Sequence, residues 1–174
     1  SKAPIQVEAI IRAAVESDSA PLVRALSPEV DPNVITNRFA ELRAGLRLLL
    51  VLETDRATAG TISISTSADE DGATRRLFAL DVGAEFRRRG FATRLIKEVE
   101  SRVMSEGHSA LRLEVSVDNH IAIGLYEKLG YLPVGTPKKL QWSQPVDGQS
   151  AVIITETSQR MVKRLALGVG GGCA

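Results

Sequence analysis

The sequence contains little of the residue types that build disulfide frameworks and metal sites. Cys173 is its only cysteine and lies next to the C-terminus, which excludes an internal disulfide and any site of several thiolates. The two histidines, His108 and His120, are not clustered with Asp or Glu at metal-ligand spacing, and we expect both to be solvated. We therefore expect no metal, and a protein of the reducing cytosol.

Excess charge of one sign and long apolar runs are also lacking. Lys and Arg total 22 against 21 Asp and Glu, so the net charge of +1 gives no overall field for a nucleic acid or a membrane surface. The densest apolar run, Leu48 to Leu52, is too short to span a bilayer, and the N-terminus from Ser1 to Pro4 lacks the apolar segment of a signal peptide. These features predict a soluble, cytoplasmic protein whose ligands bind at local sites.

The composition is that of a globular domain. Hydrophobic residues make up 44% and charged residues 25% of the 174 residues, close to the averages for packed proteins. We predict one domain over residues 1–167, followed by a flexible glycine-rich tail over residues 168–174. No proline occurs between Asn33 and Leu132, so that stretch should hold most of the regular structure.

The spacing of apolar residues predicts strands and helices along the chain. Period-two and continuous apolar runs predict strands at Gln6–Arg12, Leu46–Glu53, Thr61–Ser65, Thr74–Val82, Ala110–Val117, Leu132–Trp142 and Ala151–Leu165. Helical spacing predicts helices from Asp18 or Ser19 to Leu26, from Asn33 to Gly45, from Arg89 or Gly90 to Gly107, and from Asp118 or Asn119 to Gly130. The strands between Leu46 and Val82 should form an antiparallel meander, and a polar turn at residues 146–149 should join the last two strands.

An arginine-rich loop connects the strand that ends at Val82 to the third predicted helix. The first turn of a helix carries backbone N–H groups without intrahelical partners and the positive end of the helix dipole, so it attracts anions. Gly90 and Ala92 let a diphosphate approach the backbone closely. The residues Arg87–Arg89 add positive charge, and Thr93 adds a hydroxyl donor. The alternative to an anion-binding loop is that the three arginines form a solvated surface cluster and that Gly90 only shapes a turn.

The pattern of this loop narrows the possible ligands. A dinucleotide fingerprint requires three spaced glycines, and a phosphate loop of nucleotidases requires Gly-Lys-Ser or Gly-Lys-Thr; neither occurs. The segment from Leu80 to Ala92, with Arg87 and Gly90 at the fixed positions, resembles the acetyl-CoA-binding motif of the GNAT superfamily of N-acetyltransferases. Ala84 stands where many members have proline, a departure that should change only the stiffness of the loop.

A second segment, Leu113 to Tyr131, resembles the other signature region of the same superfamily, in the expected order. The resemblance implies an α/β fold with a mixed, mostly antiparallel seven-stranded sheet and about four helices, in which the strands ending near Val82 and Val117 splay apart. It implies that acetyl-CoA binds as co-substrate in this gap. The residues implied to bind it are Leu80, Asp81, Val82, Arg87, Arg88, Arg89, Gly90, Phe91, Ala92, Thr93, Asn119 and Tyr126.

The resemblance also implies a proton donor and a base. Tyr126 lies seven residues after Asn119, two helical turns along one face, and such a tyrosine protonates the departing CoA thiolate in the superfamily. Glu114, twelve residues before Tyr126, matches the base of the branch that acetylates ribosomal-protein N-termini. Asp81 is the alternative base, and Glu85 fits a role in the loop's own structure. The structural alternatives are a packed Tyr126 with its hydroxyl bonded to backbone, and Glu114 paired with an arginine of a neighbouring strand.

These features predict an enzyme that transfers the acetyl group of acetyl-CoA directly to a primary amine. The main alternative is a non-catalytic acyl-CoA-binding or regulatory module, which has no use for Tyr126; another is an enzyme that binds a different nucleotide. In the superfamily the acceptor site is shaped by segments that correspond here to residues 27–37 and 144–150. These segments contain the acidic residues Glu29, Asp31 and Asp147, which favour a cationic acceptor. The alternative is that these three side chains are simply solvated loop residues. The identity of the acceptor and the oligomeric state, including a homodimer, stay open.

Overall fold

A computed structural model describes residues 8–55, 57–145 and 150–166 as one seven-stranded sheet with helices on both faces. The strands are β1 (Ala9–Ala13), β2 (Leu48–Thr54), β3 (Thr58–Ile64), β4 (Thr74–Val82), β5 (Ala110–Ser116), β6 (Leu132–Pro145) and β7 (Ala151–Arg164). The helices are α1 (Ser19–Leu26), α2 (Pro32–Arg43), α3 (Phe91–Ser105) and α4 (His120–Lys128), and short 3-10 turns lie at Glu16–Asp18 and Ala84–Phe86. The predicted α/β architecture is confirmed.

The sheet has the order β1-β2-β3-β4-β5-β7-β6, and every neighbouring pair is antiparallel except β4 and β5. The meander of β2, β3 and β4 is therefore as predicted. Because successive side chains of a strand point to opposite faces, β2 contributes side chains to two hydrophobic cores. Leu50 and Leu52 join the core of α3 and α4, whereas Leu49 and Val51 pack against α1 and α2.

Strands β4 and β5 pair over only three positions, from Thr74 opposite Ala110 to Arg76 opposite Arg112. Beyond them β4 stays paired with β3 as far as Val82, and β5 stays paired with β7 as far as Ser116. The two strands therefore diverge while each remains held on its other edge. A register shift in β4, where Ala79 has a φ of +52°, bends the strand at the start of this gap.

Several element ends differ from the sequence predictions. Helix α2 begins at Pro32 because Asp31 caps it by accepting the Asn33 N–H, at 2.8 Å. Strand β2 begins two residues later than predicted, at Leu48, and the side chain of the preceding residue, Arg47, bonds Glu41 and Ser63. Strand β3 begins three residues earlier, at Thr58, and β6 continues past Trp142 to Pro145.

The start of α1 shows a different use for a residue predicted as a cap. Asp18 occupies the N-cap position, but its carboxylate bonds no N–H of α1. Instead it accepts two hydrogen bonds from Arg12 and one from the Val15 N–H, all at 2.8 Å. The carboxylate therefore fastens α1 to β1.

Some predictions fall outside the described residues. These are the start of the first strand at residues 6–7, the polar turn at residues 146–149, the tail at residues 168–174, and Cys173. Of the helices in the described ranges, none combines the length and apolar composition that a transmembrane span requires. The same ranges hold no group of three His, Cys, Asp or Glu residues arranged to bind a metal ion.

Candidate active site

The gap between β4 and β5 opens toward the N-terminus of α3. Past Arg76 and Arg112 the facing edges of the two strands have no ladder partners, so backbone N–H and C=O groups of Leu80–Val82 point into the gap. The side chains of Leu80 and Val82 pack against the α3 core, whereas Asp81 points to the opposite face and meets Arg38 of α2. The residues predicted to pair with an extended ligand therefore line an unfilled strand position.

The N-terminus of α3 has unpaired backbone N–H groups and space for an anion. Gly90 is the N-cap in the left-handed region, at φ +75°, and no side chain caps the helix. The first intrahelical bond runs from the Arg94 N–H to the Gly90 carbonyl, so the N–H groups of Phe91, Ala92 and Thr93 precede the ladder. A Cβ added at Gly90 would meet nothing within 4 Å. The structure thus fits a bound diphosphate at this helix end.

The three loop arginines differ in their surroundings. The Arg87 guanidinium pairs with Glu29 of the α1–α2 loop, and its Nε contacts the Val82 carbonyl at 3.4 Å, so it fastens this loop to the end of β4. Arg89 lies over the ring of Phe86, at 5.7 Å. Arg88 has a φ of +62° and no ion-pair partner among the described residues. Arg88 and Arg89 are therefore available to an anion, whereas Arg87 already has a structural role.

The N-terminus of α4 lies at the other end of the second signature segment. Asn119, rather than Asp118, is the N-cap, and its side-chain oxygen accepts the Ala122 N–H at 3.1 Å. The amide group of Asn119 keeps its own N–H donors, because only its oxygen is used in the cap. The Asn119 side chain can thus cap α4 through its oxygen and still bond a ligand through its N–H groups.

Tyr126 lies on α4 with its ring packed in the core and is 8% exposed. Its ring meets that of Tyr131 edge to face, with centroids 6.0 Å apart. Burial, followed by the negative charge of Asp81, raises the pKa of Tyr126 above its ordinary value. Within the part of the chain that the structure describes, no backbone or side-chain group hydrogen-bonds to this hydroxyl. The hydroxyl is therefore a neutral donor without an intramolecular partner.

Glu114 is held by three arginines on the sheet face opposite Tyr126. Its carboxylate contacts Arg112 at 2.6 Å, Arg76 at 3.0 Å and Arg160 at 3.2 Å. Its neighbours along β5, Leu113 and Val115, are in the core with Tyr126, so Glu114 points the other way. The alternative of an ion pair with arginines of neighbouring strands is thus confirmed. The carboxylate also borders a groove of about 290 Å³ between β5, β7 and β6.

The other titratable residues take positions away from the gap or inside ion pairs. Asp81 pairs with Arg38 at 2.7 Å. Glu85 lies on the 3-10 turn and lines a separate cleft with Arg24. His120 is exposed, as predicted, whereas His108 is half-buried, with an Nδ1 atom that is buried and has no hydrogen-bond partner among the described residues.

Sequence reasoning missed the basic residues that surround Glu114 and the partner of Asp81. They are Arg38, Arg76, Arg112, Lys138 and Arg160. They come from one helix and four strands, and no motif spacing connects them. Only their alternation along strands, which predicts a shared face, could have suggested part of this cluster.

Comparisons with known proteins agree with this geometry. The model of the Acetyltransferase (GNAT) family matches residues 11–131. A protein described as an acetyltransferase from Yersinia pestis (strain Pestoides F) is 36% identical over 106 residues, which cover 61% of this chain and 71% of the relative.

Solved structures share the fold at low identity. The ribosomal-protein-S18-alanine N-acetyltransferase from Escherichia coli superposes with a TM-score of 0.67 at 18% identity, over 94% of this chain and 98% of that one. The yncA structure from Salmonella typhimurium, solved with its cofactor acetyl-CoA, gives a TM-score of 0.60 at 17% identity, over 95% of this chain and 99% of that one. By fold, by its unfilled gap and by its match over residues 11–131, the chain belongs to the GNAT family of acetyltransferases.

Proposed function

We propose that the protein transfers the acetyl group of acetyl-CoA directly to a primary amine. The observation that carries this proposal is the coincidence of an uncapped α3 N-terminus with an unpaired strand edge at Leu80–Val82. One feature suits a diphosphate and the other an extended amide-containing arm, and acetyl-CoA contains both. The Salmonella structure with acetyl-CoA supports the same ligand.

The cofactor-binding residues divide by chemistry. The N–H groups of residues 91–93, with Arg88 and Arg89, would hold the diphosphate, and Gly90 leaves the space that it needs. Backbone groups of Leu80–Val82 and the Asn119 amide would bond the pantetheine arm. Arg87 would act mainly by fixing the loop to Glu29.

Tyr126 is the proposed proton donor. When bound, acetyl-CoA supplies a thioester whose carbonyl carbon is attacked by the amine and whose sulfur leaves as a thiolate. The Tyr126 hydroxyl carries its proton at neutral pH, burial raises its pKa further, and no described residue uses this hydroxyl in a hydrogen bond. The raised pKa works against the transfer, because it disfavours the tyrosinate that donation leaves behind, so the case for Tyr126 as donor rests on the position of its hydroxyl and on its unused hydrogen-bonding capacity. This unbonded hydroxyl favours an enzyme over a non-catalytic acyl-CoA-binding or regulatory module.

Glu114 is the proposed base, and Asp81 is the alternative. An ammonium has no lone pair, so the acceptor must lose a proton before or during its attack. Asp81 is occupied by Arg38, and the Oδ2 atom that makes this pair is buried. Glu114 is also ion-paired, but it borders the open groove, where an amine or a bridging water can reach it. The groove therefore favours Glu114.

Calorimetry and a thiol-release assay test the proposal. Acetyl-CoA should bind, NAD and ATP should not compete at equal concentration, and free thiol should appear when primary amines are added. Mass spectrometry should find products heavier by one acetyl group. If the folded protein takes up no CoA or acetyl-CoA at millimolar concentration, the proposal is wrong; if it binds acetyl-CoA but acetylates none of a broad amine panel, the binding module is favoured.

A further inference from the structure

The groove beside Glu114 lies on the half of the sheet that α1 and α2 leave uncovered. These two helices pack against β2 on this face, whereas the groove is lined by β5, β7 and β6. Arg160 stands opposite Glu114 in the β5–β7 ladder, and Lys138 stands opposite Ser158 in the β7–β6 ladder. Paired residues of neighbouring strands share a face, so all four side chains point to this one surface.

A bulge in β6 gives the groove its depth. The register of β6 on β7 shifts between Val134 and Lys138, and Gly135 lies inside the shift at φ +72°. A Cβ added at Gly135 would meet nothing within 4 Å. The irregular segment leaves a volume of about 290 Å³, just below the range of roughly 300–1,000 Å³ typical of small-molecule pockets. The groove is sized for a metabolite or a single residue.

The charges around the groove are mainly positive. Glu114 is surrounded by Arg76, Arg112 and Arg160, all within 3.2 Å, and Arg112 also binds Asp69 at 2.6 Å. With Lys138 the cluster has four cations, counted as these three arginines and the lysine, against the three carboxylates of Glu114, Asp69 and Glu156, the last of which lies two residues before Ser158 on the same face of β7.

Two of these cations, Arg160 and Lys138, have N–H donors that are available to a ligand. The Arg160 side chain is 48% exposed, and its one ion pair is the 3.2 Å contact with Glu114. Lys138 is exposed and forms no ion pair with any described residue. Hydroxyl groups of Thr136 and Ser158 lie in the same lining. A guanidinium, an ammonium and hydroxyls facing one small volume are the groups that recognise a carboxylate or a phosphate.

The acidic residues that pointed to a cationic acceptor have other roles. Glu29 is paired with Arg87, and Asp31 caps α2. Asp147 lies outside the described residues. No described acidic side chain other than Glu114 lines the groove.

From this charge balance we infer that the acceptor is a small primary amine that carries an acidic group, either a carboxylate or a phosphate, which binds Arg160 and Lys138 while the amine lies toward Glu114. The inference rests on the proposed acetyl transfer and specifies its acceptor. It excludes polyamines and other polycations as preferred acceptors, since they would be repelled by the excess of positive charge.

Matched pairs of amines test the inference directly. Phenylalanine against phenylalaninamide isolates the carboxylate, and O-phosphoethanolamine against ethanolamine isolates the phosphate. We expect kcat/KM to be at least about tenfold higher for the acidic member of at least one pair. The pair that responds identifies which acidic group the groove binds.

Substitutions locate the effect. Arg160→Gln and Lys138→Gln should each raise the KM for the acidic acceptor about tenfold relative to the KM for its neutral partner. Glu114 keeps Arg76 and Arg112 in the Arg160 variant, so its position should hold. Lys139→Gln is the matched control, because the next position along β6 points to the opposite face.

The outcomes separate this inference from the proposed function. If neutral amines are acetylated as well as acidic ones, or if Arg160→Gln affects both members of a pair equally, the acceptor class is wrong and the acetyltransferase stands. If no acetyl-CoA binds and no thiol is released, the proposed function fails. Calorimetry of O-phosphoethanolamine and of phenylalanine with the CoA-saturated protein measures binding in the groove without turnover, and the failure of both amines to bind would overturn the inference.

Discussion

Arg38 of α2 and Asp81 of β4 form an ion pair of 2.7 Å, from Nη1 to Oδ2, at the edge of the gap between β4 and β5. Both atoms are buried, and neither makes a hydrogen bond of regular geometry with the described residues. Asp81 also contributes to the raised pKa of Tyr126. The pair therefore connects the packing of α2 to the strand that borders the proposed proton donor.

Removing one partner should be costly. We expect Arg38→Gln to lower the free energy of unfolding by about 1–3 kcal/mol, less than for a fully buried pair because Asp81 is partly exposed. In a double-mutant cycle with Asp81→Asn, urea unfolding should give a coupling of about 1 kcal/mol or more. Arg43→Gln on the same helix, whose partner Glu16 is exposed, should change stability by less than about 0.5 kcal/mol. Additive effects of the two substitutions would contradict the pairing.

Tyr126→Phe should separate chemistry from binding. We expect kcat to fall about 100-fold or more, because the proton donor is lost, while the dissociation constant of acetyl-CoA changes less than about threefold. Steady-state kinetics and calorimetry on the same preparation measure both. Tyr131→Phe is the matched control, since Tyr131 is fully buried and should leave kcat per folded molecule unchanged. Equal kcat for Tyr126→Phe and the wild type would remove Tyr126 from the mechanism.

The two tyrosines, which are the only ones in the sequence, should titrate above their ordinary range. Burial raises the pKa of Tyr131, and the Glu100 charge adds to the effect; burial also raises that of Tyr126. Ultraviolet absorbance of tyrosinate should therefore show less deprotonation at pH 10 in the folded protein than in the unfolded chain. Each single Phe variant then assigns the signal of the remaining tyrosine.

The same shifts determine how stability depends on pH. The folded protein retains protons that the unfolded chain loses near pH 10, so the stabilisation is fully present below pH 10 and is lost as pH rises toward the folded pKa values. Chemical denaturation from pH 9 to 11 should show this decline, and Tyr131→Phe should flatten it. An unchanged slope in that variant would contradict the assignment.

The arginine loop should control affinity for the diphosphate end of the cofactor. Arg88→Gln and Arg89→Gln should each weaken CoA binding about 10- to 100-fold, because each removes a charge-assisted contact of about 1.5–3 kcal/mol. Pantetheine lacks the diphosphate, so its binding should not change. Arg102→Gln, at the far end of α3, is the control. A uniform loss for CoA and pantetheine would indicate a disturbed fold instead.

Acid should weaken the contact between β1 and α1. The Arg12 guanidinium holds the pKa of Asp18 below its usual value by hydrogen bonding, with help from the Val15 N–H and against the effect of burial. The stabilisation is thus complete above about pH 4 and is lost as pH falls through the lower folded pKa. Asp18→Asn should cost about 1–3 kcal/mol at neutral pH and flatten the acid limb, whereas Asp55→Asn, which is exposed, should do neither.

Much of the candidate site could be predicted because it is local in the sequence. The loop from Arg87 to Ala92 and the helix after it are contiguous, so the uncapped N–H groups follow from Gly90 and the apolar stripe of α3 alone. The seven-residue spacing of Asn119 and Tyr126 likewise fixes their common face on α4.

By itself, then, the sequence determined the order of strands and helices along the chain, the uncapped start of α3, the family, and Tyr126 as proton-donor candidate, since each depends on neighbours within a few turns. The tertiary structure alone decided that Asp18 bonds Arg12 instead of capping α1, that Arg38 faces Asp81, and that Glu114 lies among arginines beside a basic groove. Those contacts join residues from different strands and helices. The order of the strands within the sheet and their register bring these residues together, and no local spacing encodes either of them.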